Sequence, residues 1–199
     1  MDRDNYHHGD LKRALITAGI EILTQSGVGG FSLRKVAIKA GVSHTAPYAH
    51  FKDKRALIAA IMTEGFCRLY DRMSSVLAGC GADAQKRLLE AAWAYVDFAV
   101  AEKELFSILF SGILDNEQDF PEYNEMTHQC YRLLSDSVRF CQAAKLLPPE
   151  PIELASTRLW SCLHGFASLL INGQISHLIL EKQTIRQLVK NLIVPVTVS

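Results

Sequence analysis

Residues 32–54 read SLRKVAIKAGVSHTAPYAHFKDK, and their pattern is the most informative one in the sequence. Its apolar spacing predicts two short helices, over 33–40 and 44–50, joined by a Gly-Val-Ser turn. Gly41 suits the left-handed backbone that such a turn requires, and Ser43 is placed to cap the second helix. The spacing is that of a DNA-binding helix-turn-helix, whose second helix enters the major groove.

The side chains of this stretch are chemically suited to nucleic acid. It holds five Lys/Arg against one acidic residue. Phosphates are bound by cations and hydroxyls, and base edges are bound by short polar groups near the start of a helix. An ordinary turn between two helices, with a solvated basic face, is the alternative interpretation. The predicted DNA-binding residues are Arg34, Lys35, Ser43, His44, Thr45, Tyr48, His50, Lys52 and Lys54.

Helical periodicity continues on both sides of this motif. Residues 11–26 repeat apolar side chains at helical spacing, with Asp10 placed to cap the helix and Gly27 to end it. Neither a strand pattern nor an internal repeat is found, so the predicted fold is all-α, with a three-helix helix-turn-helix head and a C-terminal helical bundle that dimerises. The other predicted helices span about 53–78, 84–101, 103–111, 123–145, 152–172 and 184–194.

The charge distribution separates two parts of the chain. The 199 residues carry 21 Lys/Arg and 21 Asp/Glu, so the formal net charge is zero. Residues 1–60 hold nine basic and five acidic side chains, whereas residues 61–199 hold twelve and sixteen. A basic head on an acidic body indicates an anionic partner for the head. We predict a helix-turn-helix DNA-binding domain over 1–54 and a helical ligand-binding and dimerisation domain over 55–199.

Composition and motifs argue against several other classes of protein. Hydrophobic residues make up 49% of the chain, which is too many for intrinsic disorder. No secretory signal and no apolar run of membrane-spanning length occur, and the five cysteines are scattered, so we predict a cytoplasmic protein with no membrane partner. No nucleophile elbow, phosphate-binding loop or metal-ligand spacing occurs, so we expect no enzymatic activity, no metal and no cofactor.

The N-terminal sequence resembles the DNA-binding domain of TetR-type transcriptional regulators. The resemblance is carried by a first helix that ends in a Gly-containing turn, by VAIKAGVS at 36–43, by YAHF at 48–51 and by Lys54. It implies an obligate dimer that represses transcription at a palindromic operator and carries a C-terminal ligand-binding domain. The residues that it implies for phosphate contacts are Tyr48, His50 and Lys54, and those for contacts with bases or nearby backbone are Arg34, His44 and Thr45.

The helix predicted at 152–172 is apolar on two sides and must be covered on both. We expect one side to face the core and the other to face a second subunit. One stripe contains Ile152, Ala155, Leu159, Cys162, Phe166 and Leu170, and the other contains Trp160, His164, Ala167 and Ile171. The last helix has the same pattern, so two helices from each chain would form the interface of a homodimer. The segment LWSCLHGFASLLING at 159–173 also resembles the Trp-x-x-x-His-Gly segment of one TetR-type subgroup.

Large apolar side chains in the body are candidates for an effector pocket. Ligand pockets are mostly apolar with a few polar anchors, so a small hydrophobic or aromatic effector is expected. The alternative is that these aromatic residues only pack the core. The predicted ligand-binding residues are Trp93, Phe98, Phe110, Met126, Trp160 and His164.

Two functions remain open at this point. The first is a ligand-responsive repressor that binds a palindromic duplex DNA operator as a homodimer. The second is a helical small-molecule-binding or scaffold protein without sequence-specific DNA binding. The basic head distinguishes them, because removing a phosphate-binding cation weakens binding to all sequences, whereas removing a base contact changes sequence preference.

Overall fold

A computed structural model describes the backbone of residues 3–114 and 117–193, and side chains from Asp10 onward except that of Glu117. Within these ranges the chain is all helical, as predicted, and has no strand. None of the helices in the described part of the chain has the length and apolar character needed to cross a bilayer. The helices are α1 (Arg3–Gly30), α2 (Leu33–Lys39), α3 (Lys54–Ala78), α4 (Ala84–Ala101), α5 (Lys103–Leu109), α6 (Pro121–Ala143), α7 (Ile152–Ile171), α8 (His177–Leu180) and α9 (Ile185–Ile193), and Ala46–Ala49 and Glu117–Asp119 form 3-10 turns.

The first helix is longer than predicted at its N-terminal end. It begins at Arg3, so Asp10 lies inside the helix and the prediction that it caps the helix start is wrong. The backbone leaves helical geometry at Gly27, with φ 61° and ψ −175°. The break predicted at this glycine is present, because a residue without a Cβ adopts positive φ at little steric cost.

The chain divides into two compact units. The first comprises Met1–Cys67 and Glu104–Thr127, and the second comprises Arg68–Lys103 and His128–Ser199. The chain passes between the units three times, within α3, at the start of α5 and within α6. The boundary predicted between residues 54 and 55 separates two functions rather than two compact units, and it stays a prediction.

The first unit is built around the helix-turn-helix. Leu15 of α1, Val36 of α2 and Leu57 of α3 are fully buried, and they form the apolar centre on which the short elements rest. The later part of the unit packs closely on α3 at Gly65, where an added Cβ would lie 2.7 Å from a methyl group of Leu109. A side chain at this position would require the Leu109 side chain to move.

The second unit is held together by α4, α7 and α9, which pack on one another. Phe98 of α4, Leu159 of α7 and Val189 of α9 are all buried in its core. Ion pairs and cation–aromatic contacts flank this core. Arg72 pairs with Asp97 at 3.3 Å, and Arg68 pairs with Glu102 at 3.0 Å, so the second half of α3 is fastened to the end of α4.

One side of α7 packs on α4. Ala167 is fully buried, and Trp160 and His164 are both hydrogen-bonded to Tyr95 of α4, although Trp160 is 38% exposed. The expectation that one side of α7 faces a second subunit stays a prediction. The residues exposed on the solvent side of α7 include Leu154, Ser161, Gly165 and Leu169.

Candidate nucleic-acid interface and effector site

The first helix of the motif is fixed by its cap and its apolar face. Ser32 has extended backbone geometry, and its hydroxyl accepts a hydrogen bond from the Lys35 amide at 3.3 Å. This satisfies one of the amides that a helix start leaves without a partner. After the helix, Gly41 turns the chain with φ 70°, and the Val42 amide donates to the Ala37 carbonyl at 3.0 Å. The turn predicted at this glycine is therefore present.

The recognition element is a single 3-10 turn, Ala46–Ala49, rather than the helix predicted over 44–50. Pro47 has no amide hydrogen to donate to the Ser43 carbonyl, and the Ala46 amide donates to that carbonyl instead, at 3.1 Å. The predicted capping role of Ser43 is wrong, because its hydroxyl lies 3.2 Å from the Thr45 hydroxyl and the residue before the turn is Thr45.

One side of the turn packs into the protein, and the other side is exposed to solvent. Pro47 and Phe51 are buried, and the Phe51 amide donates to the Pro47 carbonyl at 2.9 Å. On the other side His44 and Thr45 are exposed, and Tyr48 is 61% exposed. The structure thus brings these three predicted DNA-binding side chains onto one solvent-facing element. His50, which follows the turn, is half-buried with its ring 6.2 Å from that of Phe51.

The predicted cations fall into two groups. Lys35 donates to the Gly30 carbonyl at 2.7 Å, Lys54 donates to the Val28 carbonyl at 2.5 Å, and Lys39 pairs with Glu21 at 2.7 Å. Three of the five lysine and arginine side chains in the motif are therefore bound to α1. Among the described side chains, the remaining two make no hydrogen bond or ion pair, and both are exposed: Arg34 and Lys52.

The second unit contains a chain of three polar side chains. Trp160 donates its indole N–H to the Tyr95 hydroxyl at 3.2 Å, and the same hydroxyl lies 2.9 Å from Nδ1 of His164. An indole N–H only donates, so the Tyr95 oxygen accepts from Trp160, and its hydroxyl hydrogen is available to Nδ1 of the imidazole tautomer that carries its proton on Nε2. Burial raises the pKa of Tyr95, although the Trp160 bond lowers it, and burial also lowers the pKa of His164. Both groups are therefore held in their neutral forms.

The pH dependence of stability should reflect this imidazole. Because the pKa of His164 is lowered by folding, the unfolded chain binds a proton first as the pH falls. The free energy of unfolding should therefore decrease as the pH falls through about 6.5, the ordinary pKa of histidine. We expect urea denaturation at pH 7.5, 6.5 and 5.5 to show a smaller decrease for His164→Asn than for the unchanged chain.

Trp160→Phe is the matched control for that experiment. It removes another member of the same hydrogen-bonded chain but keeps the imidazole, so the pH dependence should persist. An equal pH dependence in His164→Asn and in the unchanged chain would show that this histidine does not contribute.

The six predicted ligand-binding residues are divided between the two units. Trp93, half-buried in the second unit, lies under the Arg186 guanidinium at 5.4 Å from the ring centroid, and Phe98 is 1% exposed. In the first unit Phe110 packs on Phe106 with centroids 4.8 Å apart, and Met126 is half-buried. The residues that the structure brings together in one contacting group are Trp160 and His164, which it joins to Tyr95.

Sequence reasoning did not predict the partners that the candidate ligand-binding and basic side chains have within the protein. Arg186 and Glu90, which form an ion pair beside Trp93, are 96 residues apart. No periodicity marks a pair so distant. For Lys39 the sequence held one weak indication of a partner, which is the acidic Glu21 on the helix that precedes the motif. Within the described ranges no group of three His, Cys, Asp or Glu side chains is placed to hold a metal ion.

Comparison with known proteins gives matches along most of the chain. The model of bacterial regulatory proteins of the tetR family matches residues 15–61, and that of the tetracyclin repressor-like C-terminal domain matches residues 88–192. The segment at 159–173 lies within the second match, and its assignment to a subgroup stays a prediction.

Individual relatives agree with these family matches. The chain is 27% identical over 168 residues to the uncharacterized HTH-type transcriptional regulator YobS of Bacillus subtilis, covering 81% of this chain and 80% of that protein. It is 37% identical over 60 residues to the class D tetracycline repressor of Escherichia coli, covering 30% of this chain and 28% of the repressor. The match to the tetracycline repressor is shorter than the match to YobS but has the higher identity.

Solved structures share the fold over nearly the full length. A protein of unknown function from Rhodococcus sp. RHA1 is 31% identical, with a TM-score of 0.78 and coverage of 94% of this chain and 93% of that one. A TetR family transcription regulator from Marinobacter aquaeolei VT8 is 18% identical, with a TM-score of 0.76 and coverage of 96% and 98%. With a helix-turn-helix in the first unit and both family models matched, this chain is a DNA-binding transcriptional regulator that belongs to the TetR family.

Proposed function

We propose that this regulator is a ligand-responsive repressor that binds a palindromic operator as a homodimer. The observation that carries the proposal is the solvent-facing recognition turn, which exposes His44, Thr45 and Tyr48 above a buried Phe51 anchor. Arg34 and Lys52 lie near this turn in the sequence. Both are exposed and have no partner among the described side chains. Cations without a protein partner are available to phosphates, and short polar side chains are available to base edges.

The DNA-binding roles divide according to what each side chain already binds. We assign phosphate contacts to Tyr48, His50 and Lys52, and base or nearby backbone contacts to Arg34, His44 and Thr45. Lys35 and Lys54 each donate to a carbonyl at the end of α1, and an ammonium group has two further hydrogens for a phosphate. Ser43 supports the turn through its contact with the Thr45 hydroxyl.

Dimerisation is assigned to the open faces of α7 and α9. Leu154 and Leu169 are exposed apolar residues on α7, and Ser161 and Gly165 lie between them on the same face. A Cβ added at Gly165 would meet nothing within 4 Å, so no described residue of this chain requires a glycine in the middle of that helix. Glycine costs a helix interior about 1 kcal/mol relative to alanine, and a close crossing with the same helix of a second copy would account for it.

The effector site is proposed to lie at the hydrogen-bonded chain in the second unit. Trp160 supplies exposed aromatic surface and His164 a half-buried polar group, and Trp93 is a further half-buried aromatic residue of α4. Such a combination fits a small hydrophobic or aromatic molecule with one hydrogen-bonding group. Phe98, Phe110 and Met126 stay predictions as ligand contacts.

The ion pairs between α3 and α4 connect the helix that carries Tyr95 to the helix that follows the helix-turn-helix. Tyr95 lies on α4 close to Asp97 and Glu102, which hold Arg72 and Arg68 of α3. We propose that an effector shifts α4 and thereby the end of α3, whose first turn begins just after the helix-turn-helix. Two recognition elements must lie about 34 Å apart to read one operator, so an effector that favours another spacing releases DNA. A repressor of this kind acts on chromosomal DNA, which supports the cytoplasmic localisation.

The proposal is tested by selecting binders from a random duplex DNA library at near-physiological salt and sequencing them. Enrichment of a palindrome supports the dimeric reader. Enrichment of a single half-site contradicts the symmetric dimer. Salt-sensitive binding without any enriched sequence, in protein refolded to remove bound small molecules, contradicts the assigned operator function and favours the scaffold alternative.

The salt dependence of operator binding should separate the two groups of cations. Each phosphate contact contributes about 0.9 to the slope of log K against log salt concentration. Lys52→Ala should therefore reduce the slope by about one unit, because the Lys52 ammonium has no partner among the described side chains. Fluorescence anisotropy titrations of the selected operator between 50 and 300 mM salt, a range of about sixfold, measure the slope.

Lys39→Ala is the matched control for the salt experiment. Its ammonium is paired with Glu21, so the substitution should leave the slope close to that of the unchanged chain. Equal slope changes in the two variants would contradict the division of the cations proposed here.

A further inference from the structure

Ile38 is an apolar side chain of α2 that is exposed to solvent. It is 60% exposed, whereas Leu33, Val36 and Ala37 of the same helix are buried. It is the one large apolar residue of this helix that takes no part in its packing. Beta-branched residues are also poorer helix formers than alanine or glutamine, so neither packing nor helix propensity accounts for an isoleucine at this position.

The two exposed flanks of α2 have different surroundings. Lys35 and Lys39, four residues apart, both reach α1, where they contact the Gly30 carbonyl and Glu21. Arg34 and Ile38 are also four residues apart and share the other flank, since residues at this spacing lie one above the other on a helix. That flank therefore faces away from α1 and carries an exposed guanidinium with an exposed apolar group one turn further along.

This pairing fits the chemistry of the major-groove edge of a T·A base pair. The 5-methyl group of thymine is the apolar group that the major groove presents, and apolar side chains contact it. Arg34, on the same flank, supplies a cation for a phosphate or a guanine edge nearby. An aliphatic side chain beside such a cation reads a base by its methyl group rather than by a hydrogen bond.

We propose that Ile38 is a specificity-determining residue of the DNA interface and contacts the 5-methyl group of one thymine in each operator half-site. The inference rests on the proposed operator function, because it needs a DNA sequence that the protein selects. It adds a base contact from α2 to those assigned to the recognition turn. Burying one methyl group is worth about 0.8 kcal/mol, so the contact should contribute about fourfold in affinity per half-site.

The test replaces each thymine of the selected operator by deoxyuridine, which removes only the methyl group. We expect one symmetric pair of thymines at which this replacement weakens binding by the unchanged chain by about fourfold per half-site. In Ile38→Ala the same replacement should have no effect at that pair. Alanine is a better helix former than isoleucine and Ile38 is exposed, so the variant should remain folded, which circular dichroism checks.

Two features of the experiment separate the possible failures. Val28→Ala, which shortens another exposed apolar side chain of the first unit, should retain the full pattern of deoxyuridine sensitivity. If deoxyuridine sensitivity is the same in Ile38→Ala and in the unchanged chain at every position, the inference is overturned while the operator function stands. If no sequence is selected at all, both the operator function and the inference fail.

Discussion

Leu169→Glu is expected to lower operator affinity by at least about 100-fold, because it places one carboxylate from each copy in the apolar contact between two α7 helices. Leu169 is 44% exposed on the face that also carries Leu154 and Gly165. Two linked half-site readers gain about 10²–10⁴ in avidity over a single one, and a monomer loses that gain. The affinity is measured by anisotropy on the selected palindrome, and the mass by analytical ultracentrifugation at the same concentrations.

Val100→Glu provides the matched control for this experiment. Val100 is 43% exposed and belongs to the same unit, but it lies at the end of α4 rather than on α7. It should leave both the mass and the operator affinity close to those of the unchanged chain. A dimeric Leu169→Glu variant with full operator affinity would refute the assignment of dimerisation to the open face of α7.

Phe98→Ala should produce the largest loss of stability, about 3–5 kcal/mol of the free energy of unfolding, the range for truncating a buried aromatic residue. Phe98 is 1% exposed, and the Arg72 guanidinium lies 6.0 Å from its ring centroid. The substitution leaves a cavity in the core of the second unit and removes the aromatic partner of that cation. Urea denaturation followed by circular dichroism measures the change.

Phe98→Leu serves as the control for cavity formation. It keeps most of the buried volume, so its loss of stability should be clearly smaller than that of Phe98→Ala. A small loss in both variants would show that the ring does not support the core, and a role in contacting an effector would then be its main function.

The elements of the helix-turn-helix could largely be predicted from sequence because their signals are local. Ser32 caps α2, Asp53 accepts the Ala56 amide at 2.8 Å near the start of α3, and Gly41 turns the chain. Each of these depends on residues within four positions of one another. The recognition turn was predicted as a helix because a proline is tolerated in a first helical turn, and the sequence did not indicate that the element would end so soon.

The partners of individual side chains could not be predicted in the same way. Lys54 was expected to contact phosphate on the basis of resemblance, and its bond to the Val28 carbonyl depends on the fold of residues 26 positions apart. The side of α7 that faces a second subunit could not be assigned because both of its stripes are apolar. Periodicity identifies a stripe that must be covered but does not say whether α4 or a second subunit covers it.

The bonds from Lys35 and Lys54 to the carbonyls of Gly30 and Val28 bear on the thermodynamics of DNA association. A free lysine side chain loses up to about 2 kcal/mol of rotamer entropy when it is immobilised. In this chain much of that loss occurs on folding, before DNA arrives. In the proposed DNA-binding role the two ammonium groups are therefore pre-organised, and a phosphate that meets them encounters fixed charges, which favours rapid capture over a slow search for the bound rotamer.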